Sequence, residues 1–144
     1  MTLAQNIAVY LLDLALGVEA TLADGTQLKP RGGRTGEGGP IADTPWVEIG
    51  DMAWRFEPLP AGGGLDDEQL TYAVTLYTPL TGNERDKEVL REWMWEFRQA
   101  IRADYTLGGR VYYTHVDGAS FGLITREDAQ LWAGVLEVTA YHEG

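Results

Sequence analysis

Hydrophobic residues recur at helical spacing between Asn83 and Tyr105, the most regular helical pattern in the chain. At about 100° per residue these positions form one stripe, wide enough to pack on a sheet. Asn83 is a suitable N-cap and Gly108 a suitable stop, so the pattern predicts a long helix between them. The stripe consists of Leu90, Trp93, Met94, Phe97 and Ile101.

The polar side of this helix carries opposite charges on its two flanks. Glutamates 88, 92 and 96 project to one flank, and Trp95 lies between the flanks, away from the apolar stripe. A tryptophan in this position indicates either partial cover by neighbouring loops or contact with a partner. The basic flank consists of Lys87, Arg91, Arg98 and Arg102.

A second helix is predicted at the start of the chain. Thr2 and Gln5 have the spacing of a capping box, and Gly17 is a suitable end. The apolar positions after the cap share one face, which indicates core packing. They are Leu3, Ile7, Tyr10, Leu11 and Leu14.

Residues 24–45 are rich in glycine and proline and have no apolar periodicity, which predicts a long loop. The glycines do not have phosphate-loop or dinucleotide spacing, and no strand-then-helix pattern surrounds them. We therefore interpret the segment, with its basic residues Lys29, Arg31 and Arg34, as an extension that contacts a neighbouring subunit or is mobile.

The rest of the chain predicts strands. Leu70–Thr78 alternates cleanly, and 131–141 is apolar on both faces, as in a central strand or one covered by another chain. The order of elements predicts a single α+β domain over 1–144, with one mixed or antiparallel sheet and both helices on one face. The opposite face would be partly solvated and partly covered by subunit contact through tryptophans. The shorter strands are 46–49 and 52–57 around a turn or bulge at 50–51, and 110–116 and 121–125 around a turn at 117–118.

Composition narrows the range of functions. The 144 residues carry a net charge of -11, which opposes nucleic-acid binding, and there is no cysteine for a disulfide or a thiolate site. No run of 18 apolar residues and no basic leader is present, so we expect a non-secreted protein without a membrane partner.

Candidate catalytic groups are few. His115 and Asp117 could form an oriented imidazole pair, but a surface histidine beside a turn aspartate explains the pattern more simply. Ser120 has no nucleophile-elbow sequence around it, and His142 adds too little for a zinc site. The acidic run 66–68 lacks the ligand alternation of a calcium loop. The sequence therefore predicts neither an enzyme nor a cofactor or metal site.

Four segments and their order carry a resemblance: LALG at the end of the first helix, TPWVEIGD, TYAVTLYTPL, and the closing VLEVTAYHEG. In this layout the chain resembles the tail terminator, or tail-completion, proteins of long-tailed bacteriophages. The resemblance implies a six-membered ring that caps the tail tube, stops its polymerisation and faces the head connector. Its implied partners are other copies of the chain, the tail tube protein and the connector protein. Its implied location is the virion, after synthesis in the host cytoplasm.

A closed ring needs two different patches on each subunit. The candidate contacts are aromatic anchors, the basic helix flank and the loop arginines. Alternatives are another phage neck protein, such as a stopper or adaptor, a small α+β ligand-binding module, and an enzyme that uses Asp66, Asp67 or His115. The candidate interface residues are Trp54, Trp95, Trp132, Arg91, Arg98, Arg102, Arg31 and Arg34.

Overall fold

The computed structural model describes residues 2–41, 43–58, 66–81 and 84–143. It has the α+β architecture that the sequence predicts, with two helices and one principal sheet. The elements are α1 (Leu3–Leu16), β1 (Ala20–Thr21), β2 (Gln27–Leu28), β3 (Gly32–Thr35), β4 (Trp46–Pro58), β5 (Asp66–Pro79), α2 (Glu84–Ala103), β6 (Tyr113–Arg126) and β7 (Ala129–Glu143).

The principal sheet has five strands in the order β3-β4-β5-β7-β6. β3 is parallel to β4 and the other neighbours are antiparallel, so the predicted mixed sheet is confirmed. β7 lies between β5 and β6, which explains why its sequence is apolar on both faces. β1 and β2 form a separate two-stranded sheet.

Both helices pack on the same face of the sheet, which we call the helix face. The predicted stripe of α2 is buried, and it shares one core with Ile7 and Leu11 of α1. The sheet contributes alternate residues to this core, including Val47, Val74 and Leu136. Because side chains alternate along a strand, the intervening residues point to the opposite, open face.

α1 begins as predicted. Thr2 and Gln5 form a capping box, and the helix ends at Leu16 with Gly17 as its C-cap, as predicted. The Tyr72 hydroxyl donates to the Ala4 carbonyl at 2.8 Å, which ties α1 to β5. The predicted N-cap of α2, Asn83, lies outside the described residues.

The predicted division of β4 and of β6 into two short strands is wrong: there is no turn at 117–118, and of the turn or bulge predicted at 50–51 the bulge alternative is confirmed. β4 is one strand with an irregularity between Asp51 and Ala53, and β6 is one strand with an irregularity between Val116 and Gly118. A bulge absorbs the extra residue in each case without ending the pairing. The β6–β7 turn lies instead at Glu127 and Asp128, whose φ angles of 47° and 66° suit a two-residue hairpin.

The predicted loop over 24–45 is only partly a loop. It contains the whole of β2, which pairs with β1, and the whole of β3, whose residues 32–35 pair with residues 46–49 of β4. A Cβ at Gly33 would lie 2.4 Å from the Val47 carbonyl oxygen and 2.9 Å from Leu12, so only glycine fits between α1 and β4. The alternation of apolar and polar residues does not predict such a strand, because its pairing depends on close backbone approach and not on apolar side chains.

Candidate assembly surfaces

A trench runs between α2 and the edge strand β6. It consists of two adjoining cavities, of about 430 and 350 Å³, that share Arg98 and Val116. Met94 and Leu136 line its apolar part, and Tyr105 lies at its other end. We call this feature the α2–β6 trench.

Trp95 lies on the trench wall with 54% of its surface exposed, as the position of this residue on the helix predicts. The Arg98 guanidinium lies 5.7 Å from the centre of its ring, in cation–π contact. Phe121 and Leu123, both on the helix face of β6, are also more than half exposed. Exposed aromatic and aliphatic groups in one concave surface are typical of a partner site.

The trench is basic although the chain is acidic. Arg98 and Arg102 line the smaller cavity, and Arg91 lines the larger one. Within the described ranges none of these three arginines forms an ion pair. Of the described residues that line the trench, Asp117 is the one carboxylate. It lies 3.0 Å from His115 Nδ1 and accepts a hydrogen bond from the Thr139 hydroxyl. The arginines therefore remain available to an acidic partner.

The acidic flank of α2 faces the other way. The Glu88 carboxylate accepts a hydrogen bond of 2.6 Å from the Ala23 backbone N–H, beside β1. Glu96 lines a surface hollow with Gly17 and Val18, next to the end of α1. The two flanks that the sequence distinguishes therefore face different surroundings.

A second exposed aromatic surface lies at the far end of the sheet. Residues 53–57 of β4 and 67–70 of β5 form what we call the distal arm. Trp54 and Phe56 are 50% and 55% exposed, and their ring centroids lie 5.1 Å apart. Both point to the helix face, because Trp54 pairs in register with the core residue Leu70.

The distal arm is acidic. Phe56 pairs in register with Glu68, and the neighbouring positions Glu57, Asp67 and Glu143 form a row across three strands. Arg55 is the basic residue of this group. The arm and the trench thus combine exposed aromatic rings with opposite charge.

The open face contains a buried charge cluster that the sequence does not predict. Glu48 is completely buried, and its carboxylate accepts hydrogen bonds from Arg34 Nε and Arg126 Nη1, each at 2.7 Å. The rings of Trp46 and Tyr77 lie beside the two guanidinium groups, at 5.6 and 5.2 Å. We call these residues the Glu48 cluster.

The cluster also holds down the end of the long loop. Arg126 Nη2 donates to the Gly39 carbonyl at 2.7 Å, and Ile41 packs on Tyr77 and Ala133. The loop itself therefore covers part of the open face. The predicted cover by tryptophans is wrong for Trp54 and Trp132, because their strand positions place both on the helix face.

The pKa of Glu48 reflects two opposing effects. Burial by itself would raise the pKa, but hydrogen bonds from Arg126 and Arg34 outweigh burial, and the pKa falls below its ordinary value. The same contact raises the pKa of Arg126. Glu48 is therefore ionised near neutral pH and neutralises the two partly buried arginines.

The other predicted interface residues lie in three places. Trp132 is half-buried, with the Lys87 ammonium 4.9 Å from its ring centre. Arg31 is exposed and lies 3.5 Å from the exposed Asp43. Arg34 forms its ion pair with Glu48 of the same chain, so its charge is neutralised without a partner protein.

The predicted imidazole pair is present, since His115 Nδ1 lies 3.0 Å from Asp117 Oδ1. Both side chains are at the surface, and Asp117 also accepts a hydrogen bond from Thr139. The described residues contain no group of three or more His, Asp or Glu side chains arranged to hold a metal ion. Within the same ranges no helix is long and apolar enough to cross a membrane.

The sequence interpretation missed the trench residue Phe121 and its exposed neighbour Leu123 on the same face of β6. Both residues lie in the predicted strand 121–125. Because the sequence also predicts a turn at 117–118, it gives this segment as a short return strand and not as part of a long edge strand.

Comparison with family models finds no match for this chain, and comparison with curated protein sequences finds none either.

Proposed function

We propose that this protein is a structural, non-enzymatic subunit of a phage tail terminator ring, which caps the tail tube and joins it to the head connector. One observation supports self-assembly above the others. A single chain has two separate exposed aromatic surfaces of opposite charge, the α2–β6 trench and the distal arm. Subunits with two complementary patches associate head to tail and close into a ring when the rotation permits.

The choice of a tail terminator among ring proteins depends on the resemblance in element order and in the segments TPWVEIGD and VLEVTAYHEG. The net charge of -11 agrees with this role, because an acidic channel would let DNA pass without binding it. The partners of such a ring are the tail tube protein and the connector protein.

Electron microscopy of the purified protein tests the proposal, first alone and then with tail tube protein. Rings with a central hole and tubes capped at one end are the expected result. In a phage that lacks the gene, a terminator defect gives overlong tails, whereas normal tails that fail to join heads indicate a stopper or adaptor. Particles of 15.9 kDa alone under both conditions would contradict the proposal.

A ligand-binding module is the second candidate, because the larger trench cavity of about 430 Å³ is in the range of small-molecule sites. Its lining combines Met94, Trp95 and Phe121 with two arginines, which suits an aromatic anion. A monomeric protein whose melting temperature rises with such a compound would favour this candidate over the ring.

A further inference from the structure

The sheet has two long free edges, and they belong to different strands. β6 contains 14 residues and pairs with β7 on one side only, as far as the described chain shows. On the other side of the sheet, β3 covers β4 only along 46–49, so the outer edge of the distal arm has no partner strand in the described ranges. A free edge is a template for pairing with another chain.

Natural proteins usually protect such an edge with lysine, proline or a strong bulge. β6, with the sequence YTHVDGASFGLITR, contains neither lysine nor proline and has one irregularity, at 116–118. In the distal arm, residues 53–57 likewise lack both; Pro58 comes only at the last position of β4, and the irregularity at 51–53 comes before the arm. These edges are suited to pairing rather than protected from it.

Strand direction allows the two edges to join. Three antiparallel steps separate β4 from β6, so the two strands run in opposite directions. If a second copy continues the sheet with its helix face on the same side, its β4 therefore lies antiparallel to β6 of the first. Each subunit would use one edge for each neighbour, which is the head-to-tail contact that a ring requires.

We infer that the distal arm of one copy pairs with β6 of the next copy and inserts Trp54 and Phe56 into the α2–β6 trench. The inference deepens the proposed function and depends on it. Continuing the sheet places both rings on the helix face, the side on which the trench opens. Trp95 and Phe121 supply aromatic contact there, and the trench arginines meet Glu68, the carboxylate that lies beside Phe56 on the helix face of the arm.

Cross-linking tests the pairing directly, because the natural chain contains no cysteine. Ser120→Cys and Arg55→Cys place thiols on the open face of β6 and of the distal arm, at exposed positions. We expect a short bis-maleimide to link a mixture of the two variants into covalent dimers, whereas neither variant alone gives them. Thr21→Cys, exposed on β1, replaces Ser120→Cys in the control mixture and should give none.

Charge reversal tests the same contact by a second route. Arg98→Glu/Arg102→Glu, or Glu68→Arg, should each weaken association by roughly tenfold or more, because like charges then face each other. The chain with all three changes should recover most of the association. Circular dichroism and thermal melting check that each variant remains folded.

The possible results separate the inference from the proposed function. Wild-type rings without the Ser120–Arg55 cross-link, or with the same cross-link in the control mixture, would overturn the inference and leave the ring proposal standing. Cross-links within Ser120→Cys alone would also overturn it, because they indicate that β6 pairs with β6. Specific cross-links with neither rings nor a tail-length defect would support the pairing and refute the terminator function.

Discussion

The Glu48 cluster and the α2–β6 trench are built from the same materials but differ in how their charges are neutralised. Arg34 and Arg126 meet a buried carboxylate in their own chain. Arg91 and Arg102 form no ion pair in the described part of the molecule and lie beside exposed aromatic rings. Arginines whose charge is neutralised within their own chain stabilise the fold, whereas arginines without an internal counter-charge are available to a partner.

The two tryptophans of α2 give the sharpest version of this comparison. Trp93 is buried and stacked on Phe97 at 5.1 Å, so Trp93→Ala should cost about 3 to 5 kcal/mol of unfolding free energy. Trp95→Ala should leave stability almost unchanged and weaken self-association. Urea denaturation and sedimentation velocity measure the two effects. Undiminished association of Trp95→Ala would remove this residue from the interface.

Removing the buried charge should have the next largest effect. Glu48→Gln leaves two arginines without their counter-charge, and we expect a loss of about 3 kcal/mol in urea denaturation at neutral pH. Glu137→Gln is the matched control, since Glu137 is exposed on the same face of the sheet. Equal stability of the two variants would show that the Glu48 cluster contributes nothing to the fold.

The cluster should also make stability depend on pH. The pKa of Glu48 in the folded protein lies below its ordinary value of 4.5, so its stabilising effect is complete above that pH and is lost as pH falls through the folded pKa. The stability difference between wild type and Glu48→Gln should therefore shrink as the solution is acidified below about pH 4.5. A difference that stays constant down to pH 3 would contradict the depressed pKa.

A substitution where the backbones of β3 and β4 approach closely should have a smaller effect on stability. Gly33→Ala forces a methyl group against the Val47 carbonyl, and overpacking of this kind costs about 1 to 3 kcal/mol. Gly122→Ala, on a strand position with open space around it, is the control. Thermal melting distinguishes the two variants, and unchanged melting of Gly33→Ala would refute the tight packing between α1 and β4.

The smallest effect is expected at the loop arginine. Arg31 and Asp43 form an exposed pair at 3.5 Å, so Arg31→Ala should change the unfolding free energy by less than about 1 kcal/mol. Its association is the informative measurement, because Arg31 was predicted to touch a neighbouring subunit. If sedimentation of Arg31→Ala is unchanged, Arg31 is not part of the subunit interface, and the trench and the distal arm remain as its candidate surfaces.

Elements defined by side-chain periodicity could be predicted from the sequence, whereas those defined by long-range pairing could not. The stripe of α2 follows from burial on one side, and β5 follows from the alternation along 70–78, so the sequence predicts both. β3 and the bulge of β6 depend on backbone contacts with residues far along the chain, which leave no local pattern, whereas Gly50 and Asp51 indicate the bulge of β4.

The candidate site divides in the same way. The outward position of Trp95 follows from helical geometry alone, and it was predicted. Glu48 pairs with both Arg34 and Arg126 and so joins β3, β4 and β6; this arrangement became visible only once the sheet order was known. The continuous edge of β6 likewise became visible only when 117–118 proved to be a bulge and not a turn.

Sedimentation equilibrium of the wild-type protein beside Arg98→Glu/Arg102→Glu is the most direct test of head-to-tail self-assembly. We expect a wild-type mass that is a multiple of 15.9 kDa, alone or with tail tube protein, and a shift toward the single-chain mass in the variant. A wild-type protein that stays at the single-chain mass at every concentration, with or without tube protein, would contradict it.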